Sequence, residues 1–188
     1  MIAQRACNSC SKCGRIVRYV RWNFAIVEIM KESLDLDALD RRIVMELQRD
    51  GALSNTDLAQ RVGSTAPSCW RRVKQLEDVG VLRKPVWLAD PERLGQGVNV
   101  ICNVRLKGHQ TESVEAFETF VRDQPRMMEC YSMSGEWDYM IRVVARDVRD
   151  YEAFLMRVLL KHPSVGAASS HFALRAVKYE TALPLPTV

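Results

Sequence analysis

Leu36, Leu39, Ile43 and Leu47 recur three to four residues apart, with Val44 beside them, which is the spacing of one buried helix face. Asp35 or Asp37 can cap the start of this helix, and Gly51 is expected to end it. A second, short helix is predicted over 55–62, with Leu58 and Val62 inward and Ala59 small enough for close packing. Ser54 stands three residues before Asp57, close to a capping box, and Gly63 supplies a turn. A third helix is predicted from Thr65 to Asp78, with Pro67 tolerated in its first turn. Cys69, Val73 and Leu76 line its inner face, and Trp70 is expected to pack inward as well. Gly80 breaks the chain, and Val81 to Leu88, with Pro85 inside, is expected to form a two-stranded wing.

The pattern changes period after residue 95. Val98, Val100, Cys102, Val104 and Leu106 alternate, as in a half-buried strand. Ser113 to Gln124 is predicted as a helix, Arg126 to Met133 as a strand and Asp138 to Ala145 as another. Ser134-Gly135-Glu136-Trp137 makes the turn between those strands. Val148 to Lys161 is predicted as a helix stopped by Pro163, and Val165 to Tyr179 as a long last strand. The whole chain therefore predicts an α+β protein. Its first half is an N-terminal winged helix-turn-helix, and its second half is a C-terminal ferredoxin-like βαββαβ domain. A sheet covered by helices on one side leaves its other face bare, so two such domains are expected to pack sheet to sheet as a homodimer.

Charge sharpens this picture. The chain has 188 residues and a formal net charge of +4. Its excess of positive charge falls in residues 1–32, while 33–90 and 91–188 each balance. Within the balanced part, however, Arg61, Arg71, Arg72, Lys74, Arg83 and Lys84 face only Glu77 and Asp78. Helix, short helix, tight turn and basic helix is the order of a module that enters the major groove of double-stranded DNA. Ser68, Arg71, Arg72 and Gln75 occupy the outer faces of the third helix. Ser68, Arg71 and Arg72 can reach base edges or phosphates, and arginine offers a bidentate fork to guanine. Lys74, Arg83 and Lys84 read as phosphate contacts, which position rather than specify.

Other chemistry is thin. No apolar run is long enough for a membrane span. The six cysteines are scattered, which points to a reducing, cytoplasmic setting without structural disulfides. Cys7, Cys10 and Cys13 have a CxxCxxC spacing that can feed a metal or cluster, but no fourth ligand lies near. Residues 1–33 are expected to be an extension outside the folded domains, with Met30 an alternative start. His109, His162 and His171 fall in no metal-binding spacing. No catalytic residues, metal or cofactor are expected, and the chain is not read as an enzyme. Gly135 and Asp138 can form a small polar site instead, the carboxylate suiting an ammonium group and free backbone N–H groups suiting a carboxylate. An ordinary tight hairpin with a surface aspartate is the plainer alternative.

Several runs together resemble the leucine-responsive/asparagine-regulator (Lrp/AsnC) family of bacterial and archaeal regulators. They are Leu36-Asp37-Ala38-Leu39-Asp40, Asn55-Thr56-Asp57-Leu58-Ala59, Pro67-Ser68-Cys69-Trp70-Arg71-Arg72 and Ser134-Gly135-Glu136-Trp137-Asp138-Tyr139. The resemblance spans about 35–183. It implies dimers that assemble further, as far as octamers, and an amino-acid effector held between neighbouring sensor domains near the turn. On that basis Met133, Gly135 and Asp138 are the effector candidates. The expected layout is an extension at 1–33, a DNA-binding domain at 34–90, a linker at 91–95, a sensor and oligomerisation domain at 96–183 and a tail at 184–188. The expected function is a nucleoid-associated transcriptional regulator that answers to an amino acid and controls amino-acid metabolism genes. A nucleoid-like architectural protein with little ligand response is the alternative.

Overall fold

The computed structural model describes residues 36–185. The cysteines at 7, 10 and 13, the cap at Asp35 and the expected extension at 1–33 lie outside these residues. The described chain forms two units: 36–86 together with 180–185, and Trp87–Tyr179.

The first unit is three helices. Helix α1 spans Ala38–Arg49, α2 spans Asn55–Val62 and α3 spans Ala66–Asp78. Each start is capped by a side chain. Asp37 accepts from the N–H groups of Leu39 and Asp40, Ser54 from Asp57, and Thr65 from Ser68. Ser54 also donates its hydroxyl to Asp57 at 2.6 Å, which closes the side chains of the cap on one another. Gly63 ends α2 at φ 66°, ψ 48°, a left-handed turn that glycine makes without strain. Gly51 does not end α1. Asp50 does so from an extended conformation, its carboxylate accepting the N–H of Ala52. Ile43, Val44, Leu58, Ala59, Val62, Cys69 and Leu76 make the core.

Two sequence expectations for this unit need correction. Trp70 is 59% exposed; it sits one residue past buried Cys69, about 100° further round the helix. Residues 83–90 form no strand and join no ladder in the described chain, so the two strands of a wing are not formed there. Pro85 removes one donor from that segment.

The second unit runs β1 (Val98–Leu106), α4 (Thr111–Asp123), β2 (Met127–Ser132), β3 (Tyr139–Ala145), α5 (Val148–Phe154) and β4 (Val165–Phe172). Helix α5 continues through one π-helical turn over Leu155–Leu159. The sheet order is β2-β3-β1-β4 with antiparallel pairings, the βαββαβ arrangement expected. Val100, Cys102 and Val104 of β1 and Tyr139, Ile141 and Val143 of β3 bury one face with Phe117, Tyr151, Phe154 and Leu159. The other face carries half-buried Ile101, Met140 and Val144 and exposed Tyr131. Strand β4 is shorter than the pattern predicts, ending at Phe172. Its only neighbour is β1, which begins at Val98, and the last bond of that edge runs from Ala173 N–H to Asn99 C=O. The residues beyond have no strand left to pair with.

Candidate DNA-binding helix and effector turn

The exposed side of α3 is built by helical geometry. Pro67, Trp70, Arg71, Lys74, Gln75 and Asp78 are exposed, while Ser68 is half-buried near the start of the helix. Among the described residues, Arg71 enters none of the ion pairs, and Lys74 leans on Glu77 at 3.5 Å. Arg83 and Lys84 are exposed in the irregular segment that follows. That segment is anchored where Leu82 N–H meets Leu76 C=O at 3.0 Å.

Arg72 stands apart from the other predicted DNA contacts. Its Nη1 binds Asp37 at 2.6 Å and Asp40 at 2.7 Å, and its side chain is only a quarter exposed. The hydrogen bonds that it donates to Asp40 and then Asp37 raise the guanidinium pKa above its ordinary value. Asp37 is held below the usual carboxylate range, first by the Asp40 N–H and then by Arg72. This arginine ties α3 to the first turn of α1 through Nη1, which both carboxylates share, while its buried Nε has no partner among the described residues. Trp70 is the residue that sequence reasoning placed wrongly. Its position beside the exposed Lys74 and Pro67 on the helical wheel was the available signal.

In the second unit the turn between β2 and β3 gathers the effector candidates. Met133 N–H donates to Asp138 C=O at 2.8 Å, closing the turn, and Asp138 N–H donates to Val104 C=O at 3.0 Å. Gly135 has φ 127°, a conformation that side-chain-bearing residues rarely adopt. Met133 is 46% exposed. The Asp138 carboxylate is largely covered. One oxygen accepts the N–H of Leu106 at 2.8 Å, and the other lies 2.8 Å from His109 Nε2. Leu106 sits at the irregularity in the β1–β4 ladder.

Arg105 completes the cluster. It pairs with Glu136 at 2.7 Å and lies 4.8 Å over the Trp137 ring, a cation–π contact. Arg105 and His109 were not on the sequence shortlist. The alternation of β1 does place Arg105 on the outward side, but His109 reaches the turn only because β1 and β3 are paired neighbours. Nearby, Glu118, Val121, Arg122, Cys130, Ser132 and Tyr139 line a cleft of about 240 Å³. Tyr139 donates to Glu118 at 2.9 Å. Burial pushes the Cys130 thiol up to about 11, with Glu118 adding to the effect, so it stays protonated at neutral pH.

Comparison with known proteins adds the family. Residues 36–77 match the AsnC-type helix-turn-helix domain, and residues 99–183 match the Lrp/AsnC ligand binding domain. The DNA-binding transcriptional activator DecR of Escherichia coli is 37% identical over 150 residues, 80% of this chain and 99% of that protein. The Bkd operon transcriptional regulator of Pseudomonas aeruginosa is 38% identical over 151 residues, again 80% and 99%. Among solved structures, a transcriptional regulator of Neisseria meningitidis in complex with L-Met is similar with TM-score 0.77 at 34% identity, over 79% of this chain and 96% of that one. An AsnC family regulator from Agrobacterium tumefaciens reaches TM-score 0.75 at 40% identity over the same shares.

Proposed function

The chain belongs to the Lrp/AsnC family of DNA-binding transcriptional regulators, and from that premise we propose that it is a dimeric repressor or activator whose grip on DNA is set by an amino acid bound at the β2–β3 turn. The observation that carries the reading is the pairing of an exposed basic helix face in one unit with a closed polar turn around Asp138 in the other.

Helix α3 enters the major groove. Arg71, Gln75 and Ser68 face base edges, and Lys74, Arg83 and Lys84 hold phosphates. Arg72 serves this surface indirectly, by fixing α3 against α1. At the turn, Asp138 takes the effector's ammonium group in place of His109, Gly135 lets the backbone come close, and Met133 lies beside the effector side chain. The Neisseria relative was solved with L-Met, which makes apolar amino acids the first class to try.

The bare face of the sheet, with Ile101, Met140, Val144 and Tyr131, covers the same face of a second copy. Further association into octamers gives the effector a boundary to act on. Effector and DNA are then linked: whatever the amino acid does to DNA affinity, DNA does to amino-acid affinity. Its place is the cytoplasm, on the nucleoid, and its targets are genes of amino-acid metabolism.

Thermal unfolding in the presence of each of the twenty amino acids tests the reading. A true effector at a hundredfold its Kd stabilises by about 2.7 kcal/mol, and one chemical class should raise the melting temperature while the rest do not. No shift with any amino acid, together with equal affinity for its own upstream DNA and random DNA, would transfer the chain to the architectural reading.

A further inference from the structure

The C-terminal segment belongs physically to the DNA-binding unit: residues 180–185 group with the helices and not with the sheet that precedes them. The contact is specific. Gln48, in the last turn of α1, presents its amide to the backbone of Leu183. Its Nε2 donates to Leu183 C=O at 3.1 Å, and its Oε1 accepts Leu183 N–H at 2.6 Å. One primary amide thus pairs with both backbone groups of one residue, as a neighbouring strand residue would.

The rest of the segment is equally satisfied. The N–H groups of Thr181 and Ala182 both donate to the Glu180 carboxylate at 3.1 Å. Pro184 has no N–H to place. Leu185 packs on the helical core with Leu39, Leu47 and Leu53. Leu183 itself points its side chain outward and is 74% exposed, so its backbone and not its side chain is being held. Every peptide donor from Thr181 to Leu183 has a partner, and an apolar anchor follows. Glu180 satisfies the first two donors within the segment, and Leu183 and Leu185 hold the segment to the helices.

We propose that residues 180–185 are a strap, docked in a groove on the DNA-binding unit of the same chain and read there by Gln48. The chain then joins its two units twice: once through residues between α3 and β1, and once through the residues between β4 and the strap. A DNA-binding unit held at both ends has fewer orientations open to it than one on a single linker. The edge strand β4 leads to the strap through residues 173–179, so a change in the sensor sheet is passed on through two connections.

Hydrogen exchange on the full chain tests this. The Leu183 amide should exchange roughly tenfold or more slowly than amides between β4 and Glu180. Gln48→Ala should remove that protection, and Gln48→Glu, which keeps an acceptor for Leu183 N–H but loses the donor, should fall between. Leu183 exchanging as fast as its unpaired neighbours in the unaltered protein, or unchanged exchange in Gln48→Ala, would overturn the strap. Mixing two variants decides whose groove is filled. One is Gln48→Ala with its tail intact, and the other is a chain ended after Tyr179 with Gln48 intact. A strap docked within its own chain leaves Leu183 unprotected in the mixture. Restored protection would mean that the tail crosses to a second copy, and would overturn the same-chain assignment.

Discussion

Arg72 reaches from α3 to the first turn of α1 and holds two carboxylates at 2.6 and 2.7 Å, while Arg71 beside it faces solvent. The two residues therefore predict different losses. Arg71→Ala should leave the melting temperature within about a degree and weaken binding to specific DNA roughly 5- to 150-fold, the value of about 1–3 kcal/mol for a base contact. Arg72→Ala should lower the melting temperature of the helical unit by several degrees and weaken specific and random DNA alike. Thermal unfolding and anisotropy on both variants separate the roles, and equal behaviour would contradict them. Asp150 gives a prediction in pH. Arg146 and the Arg146 N–H, with Arg126, hold its carboxyl down at about 2 from an ordinary 3.8. A folded-state pKa below the unfolded one adds stability that is fully present above about pH 4 and is lost as pH falls toward 2. Acid unfolding of Asp150→Asn should lack that part of the slope in the sensor unit.

At the scale of elements, the helices announce themselves because capping and periodicity are local. Ser54 with Asp57, Gly63 and the Leu58–Val62 spacing can all be read without a fold, and the structure agrees with them. Gly63→Ala forces a β-carbon into a left-handed turn and should cost about 1 kcal/mol in denaturant unfolding. The core of the sensor unit was equally legible. Phe117 is fully buried, 4.9 Å from the Tyr139 ring, and Phe117→Ala should cost about 3–5 kcal/mol, measured the same way. What was not legible depends on partners distant in sequence. The end of β4 is set by where β1 begins. The bond between His109 and Asp138 is made by strand pairing. Trp70 could have been placed from the helical wheel, but its hydrophobicity argued the other way, and the inner face was already filled by Cys69 and Leu76. The polar turn proposed to hold the effector was half legible: Gly135 and Asp138 stand out in sequence, and the Arg105 and His109 that the structure brings to them do not.

For the molecule as a whole, the account requires the bare sheet face to be an interface. Ile101→Glu places a charge in the middle of that face, where a paired sheet would have to desolvate it. Sedimentation should show the population shifting from dimer toward monomer, with specific DNA binding lost in step because two half-sites need two linked helices. An unchanged dimer would mean that the subunits meet elsewhere. Effector, sheet and DNA then form one coupled system, and the coupling is the central claim. The measurement that tests it most directly is the affinity of the purified protein for its own upstream DNA at fixed salt, with and without each amino acid, for the unaltered chain and for Asp138→Ala. The account predicts a change of roughly 5- to 150-fold with one class of amino acid, absent in Asp138→Ala although that variant still binds DNA. An affinity that no amino acid moves, or a response that survives in Asp138→Ala, would contradict it.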